Sequence, residues 1–267
     1  MTQAILARLA EAWALAATVQ LVLWLVQQRT RNAGIVDVGW AMTVAPIAAL
    51  FAWRATRCAC GWGVIAAIDV VWSLRLGGYL VSRGAASRPE EGRYAELRRR
   101  WAPHASRRFF VFFQAQAALT AVLSLAIVVP FLVEPWGGSG WLRALGGSLS
   151  IVGILGESIA DVQLARFRRM NPGKVCDVGL WSWSRHPNYF FEWCVWLGYA
   201  VYGLAFGAWG LIAVMPQALL LMSILFVTGI PPTEMQSLRS RGDAYRAYQK
   251  RVSKFVPWPP KPRGSGA

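Results

Sequence analysis

Seven stretches of the chain are long and apolar enough to cross a lipid bilayer as α-helices. A helix needs about 20 mostly apolar residues to span the hydrocarbon core, and its backbone hydrogen bonds must be satisfied within the segment. We therefore predict an all-α, polytopic membrane protein with seven transmembrane helices. They lie near residues 9–27, 35–53, 61–81, 109–133, 142–162, 188–206 and 208–230.

Composition supports a membrane protein. Only 15% of the residues are charged and 55% are hydrophobic, whereas soluble domains carry about 25% charged residues. The apolar content excludes a disordered chain, and four cysteines among 267 residues exclude a disulfide scaffold. We interpret residues 1–267 as a single transmembrane domain with a flexible tail at 259–267. No cleavable signal is evident, so the first helix is expected to act as the targeting signal.

The basic residues predict the orientation of the chain. The formal net charge is +15, and in a seven-helix arrangement 23 of the 28 Lys and Arg residues fall on one side. They lie in segments 82–108 and 163–187, in the tail after Pro231, and at Arg29 and Arg31. Because cytoplasmic loops carry an excess of Lys and Arg, we expect the N-terminus outside and the C-terminus in the cytoplasm. We expect no nucleic-acid partner, since no motif for one is present.

Two shorter helices are predicted outside the spans. The segment 82–108 is long enough to hold an amphipathic helix around Glu90–Trp101. The tail after Pro231 is predicted to form a helix that packs back onto the protein. Its apolar face carries Leu238, Tyr245, Tyr248 and Val252.

Several ionisable residues fall inside the predicted spans, where each costs about 2.5–3.5 kcal/mol at the helix centre. Such residues usually face the protein interior and serve a function, although a structural ion pair remains open for each. They are Asp37, Asp69, Arg75, Glu157, Asp161 and Glu192.

Two polar pairs have the helical spacing of four residues. Glu157 and Asp161 share one helix face, where like charges repel unless a ligand or a cation bridges them. Asn188 and Glu192 share another face. Because an Asn side chain both donates and accepts hydrogen bonds, this pair suits a carboxamide ligand. An interhelical polar clamp is the structural alternative.

Asp37 is the candidate acid of the N-terminal half. A carboxyl group in apolar surroundings can keep its proton and polarise a carbonyl. Alternatively, Asp37 caps its helix or pairs with Arg75, which lies too deep to reach the membrane surface and needs an acidic partner or an anionic ligand. Tyr79 and Tyr94 are possible phenol donors.

Several kinds of site are excluded. The two histidines cannot form a histidine cluster, and Cys58-Ala59-Cys60 is too tight for a zinc site, so we expect no metal. The absence of Gly-x-Ser-x-Gly argues against a serine hydrolase. No Gly-x-Gly-x-x-Gly follows a strand, so any dinucleotide must bind within a helical fold.

A family signature is found at residues 179–193, which read Gly-Leu-Trp-Ser-Trp-Ser-Arg-His-Pro-Asn-Tyr-Phe-Phe-Glu-Trp. This segment resembles the C-terminal signature of the steroid 5α-reductase superfamily, in which a Gly-Leu-aromatic turn leads to Asn-Tyr-Phe and Glu-x-x-x-Trp. Asp161-x-x-Leu164, the basic run and Asn171-Pro172-Gly173 look like the cofactor loop of that family. The ending from Tyr248 to Pro257 looks like its closing segment. The strong match covers about residues 157–258.

The N-terminal half matches more loosely. Asp37-x-x-Trp40, Trp72-x-x-Arg75-Leu76 and Arg93-Tyr94 resemble the bacterial branch, which is often labelled only as a membrane family of unknown function.

The resemblance implies a membrane reductase that uses NADPH to saturate a carbon–carbon double bond conjugated to a ketone. It assigns the cofactor to about residues 142–258 and the substrate to about 1–133. The implied cofactor residues are Glu157, Asp161, Arg168 or the adjacent Arg169, Lys174, Asn188 and Glu192. We also expect Arg185, Tyr189 and Tyr245 to bind the cofactor. The implied substrate residues are Asp37, Trp40, Trp72 and Arg75. The phosphates of NADPH suit the Arg and Lys side chains in this set.

The catalytic positions depart from the family in two places. Asp37 falls on the family's glutamate in the second helix, but Trp72 falls near its proton-donating tyrosine. The family's tail histidine has no counterpart, and Leu238 or Arg239 stands there. Because tryptophan has no phenol, we predict that Asp37, with Tyr79 or Glu192, polarises the substrate carbonyl. The other explanation is a different substrate.

The main alternative is an S-adenosylmethionine-dependent membrane methyltransferase of the isoprenylcysteine or phospholipid type. Such enzymes share the Arg-His-Pro-x-Tyr element found at 185–189. S-adenosylmethionine has no phosphate, so the basic run after Asp161 favours NADPH. A lipid-binding scaffold would leave the intramembrane charges without chemistry, and a transporter would need an inverted repeat. We expect an apolar lipid or steroid substrate, a monomer, and a bacterial inner-membrane location with the cofactor on the cytoplasmic side.

Overall fold

The computed structural model of the protein describes residues 1–56, 59–85, 90, 92–134 and 139–262. Within these ranges the chain is helical and contains no strand, only an isolated parallel bridge between Ser184 and Ser253. The helices are α1 Thr2–Thr30, α2 Ile35–Trp53, α3 Ala59–Ser82, α4 Arg93–Trp101, α5 Ala105–Leu123, α6 Leu125–Val128, α7 Gly140–Met170, α8 Pro187–Leu204, α9 Val214–Met222 and α10 Ile230–Arg251. Cys58 and the side chain of Cys60 lie outside the described residues.

The prediction of an all-helical, polytopic membrane protein is confirmed. In the described chain, six segments are long and apolar enough to cross a membrane. They are Thr2–Thr30, Ile35–Trp53, Gly61–Ser82, Ala105–Phe131, Gly140–Met170 and Gly207–Arg251. Each overlaps one predicted span, because a long apolar run is itself sufficient to dictate a helix in lipid.

The predicted span at 188–206 differs from the other six. A helix forms there as α8, but it is not among the six apolar segments. Asn188, Glu192 and several Trp and Tyr side chains lower its mean hydropathy. Seven spans and the orientation of the termini therefore remain predictions.

The predicted seventh span is not one regular helix. It begins with a 3₁₀ segment at Gly207–Ala213, continues as α9, and passes through a π-helical turn at Ser223–Val227 before α10. At Gly210 a side chain would overlap the backbone of Gly203, so glycine is needed for this close turn between α8 and the 3₁₀ segment.

The chain divides into two units. The first comprises Met1–Arg143 with Tyr202–Pro216, and the second comprises Ala144–Val201 with Gln217–Ala267. In the first unit, α2 packs closely on α3 because Gly77 leaves room for the Met42 side chain, and Ser73 Oγ donates to the Ala41 carbonyl at 2.6 Å. Trp24 Nε1 of α1 donates to the carbonyl of Ser106 in α5 at 3.1 Å.

The second unit is built on α7 and α8. Side chains at Gly153 and Gly156 of α7 would overlap Phe191 of α8, so these glycines allow the two helices to approach closely. Ser150 Oγ donates to the Val195 carbonyl at 3.0 Å. Small residues at an interface let helix backbones approach in a membrane, which is the physical basis of this contact.

Both predicted shorter helices are present. The amphipathic helix of segment 82–108 is α4, and its buried residue is Tyr94. The tail helix is α10, in which Tyr245, Tyr248 and Val252 form a core cluster with Leu238 packed against it. The predicted apolar face of the tail is therefore confirmed.

Candidate functional site

The first unit contains a compact group of polar side chains formed by Asp37, Arg93 and Tyr94, called here the acid cluster. The Tyr94 hydroxyl donates to Asp37 Oδ1 at 2.8 Å. Arg93 Nη2 donates to Asp37 Oδ1 at 2.8 Å and Oδ2 at 2.9 Å, and to the Tyr94 hydroxyl oxygen at 2.7 Å. Each member thus contacts both others, and the cluster joins a carboxylate, a phenol and a guanidinium within hydrogen-bond distance.

The acid cluster is positioned by a clamp between α4 and the loop that joins α1 to α2. Glu90 accepts a hydrogen bond from the Ala33 amide at 2.5 Å. The same carboxylate accepts hydrogen bonds from Arg98 Nε at 2.7 Å and from Arg98 Nη2 at 3.0 Å. Arg98 Nη2 also donates to Gln27 Oε1 at 3.1 Å. Because the clamp fixes α4 against the start of α2, Tyr94 is placed beside Asp37.

Tyr94 is the buried member of the acid cluster. Its side chain belongs to a core with Ala33, Val36, Phe109 and Phe113. Burial, together with the negative charge of Asp37, raises the pKa of Tyr94 well above its ordinary value. The phenol therefore keeps its proton at physiological pH and remains a hydrogen-bond donor.

The other residues predicted for the first unit lie elsewhere on α2 and α3. Trp72 is fully buried, and its ring centroid lies 6.1 Å from that of Trp40. The guanidiniums of Arg75 and Arg83 lie 5.4 and 5.5 Å from the centroid of the Tyr79 ring. The hydrogen bonds described for Asp37 thus come from Arg93 and Tyr94. The Arg93-Tyr94 dipeptide was visible in the sequence, but no periodicity indicated that α4 folds back onto Asp37.

The second unit gathers the predicted carboxylates on two packed helices. Glu157 and Asp161 are buried on α7, and Glu192 is buried on α8. Glu192 Oε1 accepts a hydrogen bond from Trp196 Nε1 at 2.9 Å. One turn before Glu192, Asn188 Oδ1 is buried and has no hydrogen-bond partner among the described residues. An unsatisfied buried acceptor is costly, so Asn188 is suited to a ligand that donates a hydrogen bond.

Four basic side chains are exposed at the end of α7 and in the turn that follows, namely those of Arg166, Arg168, Arg169 and Lys174. This group is called here the basic end of α7. Guanidinium and ammonium groups at such a position bind phosphate through charge-assisted hydrogen bonds. Three of these exposed residues, Arg168, Arg169 and Lys174, were predicted to bind the cofactor.

Arg185 and Tyr245, also predicted to bind the cofactor, form a second polar group with Glu234, called here the tail clamp. Arg185 Nε donates to Glu234 Oε1 at 2.6 Å. Arg185 Nη1 donates to the carbonyls of Gln249 at 3.0 Å and Val252 at 2.7 Å. The Tyr245 hydroxyl donates to Glu234 Oε1 at 3.4 Å. The clamp attaches α10 to the turn before α8.

The aromatic residues next to the tail clamp extend this attachment. The Tyr189 ring stacks on His186 with centroids 5.5 Å apart, and its hydroxyl lies 3.2 Å from Thr233 Oγ1. Burial lowers the pKa of His186 below its ordinary value, although its contact with Glu234 acts in the opposite direction. His186 is therefore neutral near pH 7. Sequence reasoning missed Glu234, since it stands in a polar helix and belongs to no motif.

The donor set of the second unit fits NADPH in part. The basic end of α7 suits the phosphates, the buried carboxylates suit ribose hydroxyls, and Asn188 suits the nicotinamide carboxamide. Arg185 is less suited, because its guanidinium is already bound to Glu234 and two carbonyls. Within the described residues, no group of three or more His, Cys, Asp or Glu is placed to hold a metal ion.

Comparison with known proteins identifies a family. Residues 23–252 match the model of the family described as Protein of unknown function (DUF1295). The chain belongs to this family. The range that matches the DUF1295 model includes the acid cluster, the basic end of α7 and the tail clamp. Neither a curated protein nor a solved structure matched the chain.

Proposed function

We propose that this protein is a membrane reductase that uses NADPH to saturate the carbon–carbon double bond of an apolar enone. The observation that carries the proposal is the acid cluster, in which a buried, protonated Tyr94 phenol is hydrogen-bonded to Asp37 and Arg93. Enone reduction needs such an acid, since negative charge develops on the carbonyl oxygen as hydride reaches the β-carbon. The resemblance to the steroid 5α-reductase superfamily supports the same reaction.

In the proposed reaction the Tyr94 hydroxyl turns from Asp37 to the carbonyl oxygen of the substrate. As hydride reaches the β-carbon, the double bond shifts to lie between the α-carbon and the carbonyl carbon, and the carbonyl electron pair moves to the oxygen. Tyr94 donates its proton to that oxygen, and an enol forms. The Arg93 guanidinium stabilises the resulting phenolate. Water then returns a proton to Tyr94, and the enol becomes the saturated ketone. Tyr94 thus takes the role that sequence analysis gave to Tyr79 or Glu192.

When bound, NADPH would supply the hydride. The basic end of α7 would hold its phosphates, and the Asn188 amide would hold its carboxamide. Glu157 and Asp161 would accept hydrogen bonds from ribose hydroxyls. The apolar helices around these side chains would exclude water from the hydride donor.

We further propose a lipid or steroid substrate that enters from the bilayer, a monomeric protein, and a bacterial inner membrane with the basic end of α7 on the cytoplasmic side. The excess of basic residues in the predicted inner segments supports this side. Exact substrate identity would be determined by an enone screen.

The experiment that tests the cofactor is ligand-dependent stabilisation. The full chain in detergent is melted with NADPH, NADH or S-adenosylmethionine, because a ligand that binds only the native state raises Tm by mass action. The double variant Arg168→Gln/Arg169→Gln removes two charges from the basic end of α7. Its matched control, Arg246→Gln/Lys250→Gln, removes two exposed charges from α10.

We expect NADPH to raise Tm of the native chain and of the control, and to stabilise the double variant far less. Stabilisation by S-adenosylmethionine alone would replace the reductase with the methyltransferase. The reaction itself is then tested by NADPH consumption with 3-oxo-Δ4-steroids and other enones. A Tyr94→Phe variant that binds NADPH normally and reduces the enone at the native rate would overturn the role of the acid cluster.

A further inference from the structure

We propose that a groove at the start of α5 is a binding site for a bilayer phospholipid with an anionic headgroup. The inference does not depend on the reductase proposal, since no member of the acid cluster lines the groove. It rests on the shape of the groove, on its charge, and on its place at one end of a membrane span.

The groove is an open cavity of about 650 Å³. Its apolar lining, called here the floor, comes from Trp101, Val111, Phe112 and Ala115. Val111 is 61% exposed, so its side chain is accessible to an acyl chain in the groove. An acyl chain matches such a surface, because burying its methylene groups in contact with these side chains is favourable.

The remaining lining residues of the groove are basic, namely His104, Arg107 and Arg108, and they are called here the rim. Both arginines are exposed, and neither forms an ion pair with any part of the chain that the structure describes. Two uncompensated guanidiniums bind a phosphate oxygen through charge-assisted hydrogen bonds. Because the choline cation of a neutral headgroup would be repelled by both arginines, the rim favours a headgroup whose phosphate charge is not neutralised.

The position of the groove fits one molecule that carries both groups. Arg107 and Arg108 lie in the first turn of the span Ala105–Phe131, and Val111 and Ala115 follow one and two turns later. In a bilayer the end of a span lies at the headgroups and the next turns lie at the acyl chains. Along α5 the arginines of the rim thus lie at the depth of the lipid headgroup, and the apolar residues of the floor lie at the depth of the acyl chains.

The test measures lipid binding to the full chain in detergent by native mass spectrometry. The probes are phosphatidylglycerol and phosphatidylcholine with identical acyl chains. The variant Arg107→Gln/Arg108→Gln removes the basic rim, and Arg99→Gln/Arg100→Gln removes the same charge from nearby exposed positions outside the groove. A second variant, Ala115→Trp, fills the floor, and Ala14→Trp adds the same side chain to an exposed position on α1.

We expect phosphatidylglycerol to bind more tightly than phosphatidylcholine to the native chain. Loss of the two rim arginines should weaken phosphatidylglycerol binding about tenfold or more, and Ala115→Trp should also weaken it, while both controls bind as the native chain does. Equal binding of the two lipids would overturn the proposal. So would equal weakening in Arg99→Gln/Arg100→Gln, unchanged binding in Ala115→Trp, or displacement of the lipid by inorganic phosphate alone.

Discussion

The acid cluster and the tail clamp contain the same three functional groups in different surroundings. Each joins an arginine, a carboxylate and a tyrosine. In the tail clamp the side chains of Arg185 and Glu234 are 10% and 15% exposed, and the guanidinium also binds two backbone carbonyls. In the acid cluster Arg93 is 53% exposed and Asp37 is 20% exposed, and the hydrogen bonds described above join only side chains.

The difference shows how the same groups serve structure in one place and suit chemistry in another. A guanidinium that binds main-chain carbonyls fixes the path of the backbone, and in Arg185 the hydrogen bonds to Glu234 and to two carbonyls already engage Nε and Nη1. A guanidinium that binds only side chains and faces solvent can exchange partners when a ligand arrives. We therefore expect substitutions in the tail clamp to affect stability, and substitutions in the acid cluster to affect activity.

The largest expected effect is on stability in the tail clamp. Arg185→Met keeps much of the side-chain volume but leaves the Glu234 carboxylate, whose side chain is 15% exposed, without its arginine, which should cost at most about 3–5 kcal/mol. Arg93→Met removes a half-exposed partner and should cost about 0–1 kcal/mol. The prediction is tested by measuring Tm of both variants and of the native chain in the same detergent. Equal destabilisation would remove the distinction between the two groups.

The next effect is on catalysis in the acid cluster. Tyr94→Phe should lower kcat for enone reduction by about 100- to 1,000-fold, because it removes the donor to the developing oxyanion. Its cost in stability should be about 1 kcal/mol, the value of one hydrogen bond. Tyr245→Phe and Tyr79→Phe are the matched phenol deletions. If Tyr79→Phe lost activity and Tyr94→Phe did not, the sequence-based assignment of Tyr79 would be the correct one.

A smaller effect is expected at the clamp that positions the acid cluster. Glu90→Gln leaves Arg98 without its carboxylate and should cost about 1–3 kcal/mol, with a fall in kcat but normal stabilisation by NADPH. Glu96→Gln is the control on α4, the helix that carries Arg98, since Glu96 pairs with Arg99 at an exposed position and should cost under about 0.5 kcal/mol. If kcat fell in both variants, the loss would not be specific to Glu90. That result would contradict the proposed positioning role of Glu90.

The smallest effect is the pH dependence of the tail clamp. The folded-state pKa of His186 lies below its unfolded value of about 6.5, so the unfolded chain binds the proton more readily. Stability should therefore fall as pH drops below about 6.5, by at most about 1.4 kcal/mol per pH unit from this residue. Melts from pH about 5 to 7.5 measure this slope. In His186→Gln the slope should be shallower, and an unchanged slope would assign it to other groups.

Much of the fold could be predicted because a membrane span is a local property of the sequence. The bounds Ile35–Trp53 match the predicted 35–53 at both ends, since hydropathy changes sharply there. The predicted span at 188–206 stays a prediction, because α8 carries Asn188 and Glu192 and is not among the six apolar segments. The apolar face of α10 was also predictable, since Tyr245, Tyr248 and Val252 recur with helical spacing.

The candidate site was predictable only as a set of side chains. The sequence by itself determined that carboxylic acids lie in apolar segments at Asp37, Glu157, Asp161 and Glu192, and that a basic run stands at the end of α7. Their partners were not predictable from spacing. Tyr94, 57 residues from Asp37, donates to it, and no periodic pattern links the two.

Tertiary structure alone decided which charged groups are free for chemistry. Arg185 stands in the most recognisable motif of the chain, yet its partner Glu234 lies 49 residues away in a polar helix. The folding of α10 onto the turn before α8 turns that arginine into a structural residue, and the folding of α4 onto α2 gives Asp37 its phenol. Apolar length dictates a helix locally, whereas a hydrogen bond between distant side chains exists only after the helices have packed.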